Sequence, residues 1–399
     1  MTGIDVLINK PALYKGLHGR RVALLGHPAS VTSAGQHSLD ALASLDGIKL
    51  SAAFGPQHGM RGDKQDNMVE SETYNDPQHG IPVFSLYGKV RRPTDEMMDS
   101  FDVILVDLQD IGTRIYTYVT TLVYMLEACA EKGRSIIVLD RPNPAGRPLE
   151  GTILQEGLES FVGAAPLLMR HGLTLGEIAR WYVAHKNLDV ELQVIAMEGY
   201  KPQEGPGYGW PLHKLSWVNP SPNASSLNMA RCYPGTVLLE GTTLSEGRGT
   251  TVALELAGAP DIDFRKVFKN MQALAPQWLK GALIRPCYFE PTFNKHAGKL
   301  CAALQWHTDN RHYDHSAFRP YRSIALMLKC IRLEYPDYPI WSEFEYEYEK
   351  ERLAIDLLSG STFLREWVDD PVSTTSDFDA RLHPDEKRWQ QESRPFWLY

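Results

Sequence analysis

The chain has no stretch of the roughly 18 consecutive apolar residues that a membrane helix needs. Its first residues, Met1-Thr2-Gly3-Ile4-Asp5-Val6-Leu7-Ile8, carry neither a basic region nor the apolar centre of a secretory leader. Cysteine is scarce: Cys129, Cys232, Cys287, Cys301 and Cys330 are odd in number, far apart, and form no C-x-x-C pair. That removes a disulfide framework and fits small buried thiols in a reducing compartment, so a cytoplasmic protein is expected. Positive charge is not in excess either, with 41 Lys and Arg against 49 Asp and Glu and a net charge of −8. A nucleic-acid or anionic-membrane partner is therefore not expected. The chain has no G-x-G-x-x-G after a strand, no Walker A loop, no G-x-S-x-G elbow and no H-E-x-x-H. Nicotinamide, ATP and serine-hydrolase chemistry lose their usual signatures. No solenoid-length repeat and no low-complexity tract is present.

What is present is ordinary globular material, 399 residues with 43% hydrophobic and 23% charged, long enough for two domains. Apolar runs rich in Val, Ile and Leu alternate with helical-period segments through the first half, the pattern of βαβ units on a mostly parallel sheet. Strands are predicted at Arg21–Gly26, Ile48–Phe54, Ile81–Leu86, Phe101–Leu108 and Ser135–Asp140. A helix over Tyr118–Lys132 follows from Leu122, Met125, Leu126 and Cys129, with Gly133 closing it. Thr174 and Glu177 form a capping box at the start of a helix Leu175–His185. Gly, Pro and Trp crowd Gln203–Pro222, which reads as a long connecting loop or a domain junction. Beyond it, a strand Leu300–His307 and a helix Tyr321–Glu334 without clean alternation suggest a smaller α+β domain. The run Glu343–Glu351 reads as a solvated helix face.

In an open parallel sheet, the C-terminal strand ends share one edge, where ligands bind. Polar clusters follow four of them: Gly26–Ser30, Gly55–Asp63, Asp107–Arg114 and Asp140–Pro144. The second, Phe54-Gly55-Pro56-Gln57-His58-Gly59-Met60-Arg61-Gly62-Asp63, is the richest. Metal ligation by His27, His58, Asp63, Asp107, Asp110 and Asp140 would require closer spacing than the sequence offers, and strand-end acids more often cap loops and helices. Glycoside hydrolysis needs a proton-donating carboxyl and usually a second carboxylate. Asp63, Glu70, Glu72, Asp110, Glu240 and Glu246 are the acids in position to supply them, with Trp and Tyr near the junction to stack on sugar rings. A second unusual loop, Tyr233–Thr251, sets Glu246 and Arg248 between glycines, and an arginine there suits a substrate carboxylate.

These segments, together with Pro82–Gly88, Arg170–Glu177, Pro220–Asn223 and Pro291–Gly298, closely resemble the exo-acting β-N-acetylmuramidases of bacterial cell-wall recycling, in family order along nearly the whole chain. The resemblance implies a Rossmann-like domain with a mostly parallel sheet over residues 1–225, a smaller α+β domain over 226–399, and a cleft between them. It implies release of terminal N-acetylmuramic acid, or a related amino sugar, from peptidoglycan fragments without a cofactor. The partner is then a muropeptide-like small molecule or oligosaccharide, with no nucleic acid and no membrane. The substrate-binding candidates are Gln57, His58, Arg61, Arg114, Tyr116, Asp140, Arg141, Asn143, Arg170, His171, Asn223 and Arg248, with Arg61, Arg114, Arg170 or Arg248 suited to the lactyl carboxylate. Family members commonly read Pro-Glu-His-Gly where this chain has Pro56-Gln57-His58-Gly59, and a glutamine carries no proton at neutral pH. The expectation is an acid relocated to Asp63, Glu70 or Glu72, with Glu246 or Asp110 assisting. Loss of catalysis in a sugar-binding protein is one alternative, and a different, metal-assisted hydrolysis of an acidic glycan through His58 and Asp63 is another.

Overall fold

Residues 1–62, 64, 69–347 and 349–399 are described by a computed structural model. The first half builds one twisted sheet from β1 (Arg21–Leu25), β2 (Lys49–Gly55), β3 (Tyr74–Asn75), β4 (Pro82–Ser85), β5 (Val103–Val106), β6 (Ser135–Leu139) and, after a small β7 (Glu150–Ile153) and β8 (Leu168–Arg170) hairpin-like pair, β9 (Leu192–Ile195). Its order is β3-β4-β2-β1-β5-β6-β9, parallel throughout except for the antiparallel edge pair β3 and β4. The central strands form because their runs are apolar on both faces: Val103–Val106 is buried at every position, as is Ser135–Leu139. In register, Leu25 lies opposite both Phe54 and Val106, so the ends of β1, β2 and β5 are level. The predicted shared edge exists.

The helix Tyr118–Lys132 spans the expected residues and ends at Gly133, whose φ of 60° is the left-handed cap. The helix Leu175–Lys186 starts with the Thr174–Glu177 capping box and ends at Asn187, also left-handed. The segment between β9 and the helix Leu227–Thr236 contains neither helix nor strand, as its Gly and Pro content dictates.

The second half adds an antiparallel sheet, β10 (Leu256–Ala259), β11 (Leu283–Phe289) and β12 (Cys301–His307), in the order β10-β12-β11, flanked by the helix Pro320–Glu334. The fold is thus mixed α/β with a mostly parallel main sheet and a second, smaller sheet. One apolar core runs through both halves, from Phe54 and Val106 to Trp306, Ile324 and Trp389. The last long helix, Thr375–Ser393, returns to the first half: the Trp389 indole donates to the carbonyl of His171 at 2.8 Å, and the ring meets Trp181 edge-on. The run Glu343–Glu351 departs from expectation. Its described residues form no helix, and Tyr346 is buried rather than solvated. Alternating Glu and aromatic residues suit an extended path with one side inward as well as a helix face, and packing decides. No helix among the described residues is long and apolar enough to cross a membrane.

Candidate active site

Most strand-end polar residues are used up in holding the loops together. His27, fully buried, takes the Gln109 N–H on Nε2 at 2.9 Å and gives its Nδ1–H to the carbonyl of Pro220 at 3.2 Å. Burial keeps that ring neutral, well below the ordinary histidine range, and the Arg141 charge adds to the effect. Asp107 receives Arg141 in a two-point fork at 2.5 and 2.9 Å. Asp140 accepts from Thr174 Oγ1, the Gly176 N–H and the Tyr399 hydroxyl, and Asn143 bridges Ala145 and Leu173. Arg114 donates to the carbonyls of Thr152, Leu167 and Leu358, and Arg170 to those of Ala145 and Phe318. Arg114, Asp140, Arg141, Asn143 and Arg170 therefore stand behind the cleft as struts.

Asp110 and His171 form a buried pair at 3.7 Å in the same hidden layer. Burial pushes the Asp110 carboxyl up to about 7, against the pull of the Gly112 N–H, and pushes His171 down to about 3. The His171 ring is therefore neutral near neutral pH, and the Asp110 carboxyl holds its proton at pH values well above the ordinary carboxylate range. Asp110 Oδ1 and His171 Nε2 have no hydrogen-bond partner among the described residues.

The cleft proper, with about 520 Å³ of empty space that includes its open mouth, lies where this edge meets the second half. From the turn after β2 come Gln57 and His58; from the loop after β5 and the start of the helix that follows it come Tyr116, Thr117 and Tyr118; from the junction come Ser221 and Asn223. The second half supplies Tyr233, Glu240, Arg248, Tyr346 and Glu347. The turn after β2 is tight because a Cβ at Gly55 would sit 2.6 Å from the Met60 nitrogen, so no other residue fits without displacing backbone. It also holds His58 at φ 68°. Glu347 is likewise left-handed, at φ 49°. Two non-glycine residues in this sparsely populated region facing one cleft are a mark of a functional site.

Three tyrosines form one wall: the Tyr116 ring packs edge-on against Tyr118 at 4.7 Å and Tyr233 at 5.9 Å. Opposite charge is concentrated around Arg248, which donates to Glu240 at 2.7 Å and to Glu246 at 2.8 Å, while Lys295 reaches Glu246 from the other side at 2.9 Å. Burial opposes ionisation of Glu246, but Lys295 and Arg248 outweigh it and hold its carboxyl below the usual range. The Tyr346 hydroxyl donates to the second oxygen of Glu240. Glu240 is thereby a fixed carboxylate.

Gln57 is anchored through its side-chain oxygen, which accepts from Thr117 Oγ1 at 2.6 Å, so its amide nitrogen turns to Glu347 Oε1 at 3.4 Å. The other oxygen of Glu347 takes the Tyr87 hydroxyl at 2.8 Å. Burial raises this carboxyl above the ordinary glutamate range; Glu240 adds to the rise, and Tyr87 and Arg91 oppose it.

Of the sequence candidates, Gln57, His58, Tyr116, Asn223, Glu240 and Arg248 share the cleft, and Glu246 lies directly behind Arg248. Glu70, Glu72 and Arg61 instead line an adjoining hollow of about 780 Å³ with Lys64 and Tyr74. Glu70 pairs there with Arg91 at 3.6 Å, and the Arg61 guanidinium lies 4.1 Å from the centre of the Tyr74 ring. Asp63 lies outside the described residues. Glu347, Tyr346 and Lys295 escaped the sequence reading; Lys295 belongs to the recognised stretch Pro291–Gly298, whereas the Glu347 segment was assigned to solvent. Among the described residues no group of three or more His, Cys, Asp or Glu is placed to hold a metal ion.

Comparison with known proteins bears on this geometry. Residues 22–228 match the N-terminal family model, and residues 231–399 the C-terminal family model, of "Exo-beta-N-acetylmuramidase NamZ". A peptidoglycan β-N-acetylmuramidase NamZ from Bacillus subtilis strain 168 is 37% identical over 394 residues, covering 98% of this chain and 89% of the relative. Two crystal structures of DUF1343 family proteins from Bacteroides fragilis NCTC 9343 are similar over 100% of this chain and 98% of theirs. They are BF0371, with TM-score 0.85 and 30% identity, and BF0379, with TM-score 0.75 and 26% identity.

Proposed function

The chain belongs to the exo-β-N-acetylmuramidase NamZ family and is an exo-acting glycoside hydrolase of peptidoglycan, and from that premise we propose how its cleft works. The substrate is a small peptidoglycan-derived fragment whose non-reducing terminal N-acetylmuramic acid enters the cleft. The observation that carries this is the meeting, in one cleft, of the Gln57–His58 turn, the tyrosine wall and the Glu240–Arg248 pair from the other half of the chain. The wall of Tyr116, Tyr118 and Tyr233 offers apolar ring surface for a sugar face. Glu240, held in place by Arg248 and Tyr346, stabilises positive charge that develops at the anomeric carbon as the bond breaks. Arg61 at the exposed rim of the adjoining hollow takes the lactyl carboxylate; Arg114 and Arg170 are fully engaged with backbone carbonyls, and Arg248 with two glutamates. Residues 1–225 and 226–399 act as two domains flanking this cleft. Five free cysteines support a reducing, cytoplasmic setting.

The test is incubation with matched aryl N-acetylmuramides and N-acetylglucosaminides and with peptidoglycan fragments, followed by mass analysis of products. Free N-acetylmuramic acid from the muramides and from non-reducing ends is expected, with the glucosaminides left intact. Cleavage of the glucosaminides alone, or of internal linkages, would overturn the assignment.

A further inference from the structure

Gln57, in the richest of the strand-end loops, has no proton to give at neutral pH. Gln57 sits at the floor of the cleft with both ends of its amide committed, one to Thr117 and one to Glu347. A glycosidase acting on a sugar leaving group nevertheless needs a carboxyl at the scissile oxygen, because a sugar alkoxide is far too basic to leave unprotonated. Each other acid near the cleft has a different setting. Glu240 and Glu246 are held by Arg248, with Lys295 on Glu246 as well. Asp110 lies in the layer behind, beside His171, and is not part of the cleft lining. Glu70 and Glu72 line the adjoining hollow, and the Glu70 side chain is half exposed.

We propose that Glu347, supplied by the second half of the chain, is the proton donor of this enzyme. The inference rests on the glycosidase reading above. The geometry is specific. Glu347 lines the cleft, its backbone is turned into the left-handed region, and its carboxyl accepts from the Gln57 amide at the cleft wall. Gln57 donates to Oε1, which leaves Oε2, beside the Tyr87 hydroxyl, as the oxygen that carries and releases the proton. Both of these neighbours are neutral groups. Among the described residues, Glu240 favours its protonated form and Arg91 opposes it; Tyr346 is adjacent in the chain. Burial adds to the protonated form, so the acid is loaded at a pH where an exposed glutamate is not.

The step balances with water as the only co-reactant. The glycosidic C1–O bond breaks as the Oε2 proton passes to the departing oxygen, and the bonding electrons leave with that oxygen. Water then forms the new C1–O bond, and the proton it sheds restores the Glu347 carboxyl. Nothing is oxidised or reduced.

Leaving-group dependence tests the assignment. Glu347→Gln should lower kcat/KM on a muropeptide, whose sugar leaving group needs the proton, by about 10²–10⁴-fold, the usual worth of a general acid. On a dinitrophenyl N-acetylmuramide, whose leaving group needs no proton, the loss should stay below about tenfold. The alkaline limb of the wild-type pH profile should vanish in the variant. Glu347→Asp, which keeps a carboxyl, should recover part of the rate and guards against a folding defect, with thermal unfolding followed in parallel. Gln57→Glu, placing a second carboxyl against Glu347, should move the alkaline limb to higher pH. Equal loss on both leaving groups, or full rate in Glu347→Gln, overturns the assignment while leaving the hydrolase reading intact. No turnover of any muramide by the wild type overturns both.

Discussion

Arg248 is buried between two carboxylates, and the three groups are stable only as a set. Glu240 and Glu246 outweigh the burial that would discharge the guanidinium, so its pKa rises rather than falls. Replacing it by methionine keeps the volume of the stem but takes the guanidinium from two buried acids, Glu240 and Glu246, the second of which keeps Lys295. Removing one member of a buried ion set costs roughly 3–5 kcal/mol. Arg248→Met is therefore expected to unfold at lower denaturant concentration and to lose activity in its folded fraction, measured by urea titration alongside kcat/KM. Arg114→Met should behave differently. None of its three carbonyl acceptors belongs to the cleft lining, so stability should fall by about 1–3 kcal/mol for the unsatisfied acceptors while KM and kcat of the folded enzyme hold. From sequence, the two arginines look alike. Type and loop position are legible in a sequence, but what consumes a guanidinium is not, and the same limit hid the partner of Gln57. The glutamine was visibly anomalous in its own segment, yet Glu347 lies 290 positions away and meets it only through folding.

At the scale of elements, legibility followed the strength of the local signal. Strands β5 and β6 are apolar on both faces, and the helix Leu175–Lys186 announces itself by a capping box, so each was found within a few residues of its ends. The segment after Ser342 had no such signal, since its acids and aromatics fit two periodicities and only the cleft they cover chooses between them. Gly176 shows how tertiary packing also overrides propensity. Alanine is ordinarily better than glycine inside a helix by about 1 kcal/mol. Here an added Cβ would lie 2.6 Å from Val194 Cγ1 and 2.8 Å from Asp140 Cγ, while the Gly176 N–H donates to Asp140 at 2.8 Å. Gly176→Ala is expected to destabilise by about 1–3 kcal/mol through overpacking of the helix against β9 and the end of β6. A rise in melting temperature in that variant would show that the helix can shift outward at no cost.

The molecule as a whole is tied together across its two halves, and one of those ties titrates. The Tyr399 hydroxyl reaches Asp140 at 2.9 Å, and the Leu398 N–H reaches Glu177 at 2.7 Å, so the end of the chain rests on the strand-end layer of the main sheet. Burial, assisted by the nearby Glu177, raises the Asp140 carboxyl to about 7. A carboxyl raised by folding binds its proton more tightly in the folded state, so its contribution is complete below the unfolded value near 4 and is lost as pH rises toward 7. The buried histidines act in the opposite sense: His171 and His315, both lowered to about 3 by burial, cost stability as pH falls below about 6.5. The pH profile of the wild type therefore mixes the two. Asp140→Asn separates them, because the amide still accepts from Gly176 and can donate to the hydroxyls of Thr174 and Tyr399, which reverse direction. Melting temperatures of the two proteins should be measured in parallel from pH 4 to 8. The variant should gain on the wild type steadily between about 4 and 7 and hold a constant difference above that, with the histidine contribution cancelling. A difference that is flat across this window would mean that Asp140 is ionised in the folded protein and that the Tyr399 contact is a hydrogen bond to a carboxylate.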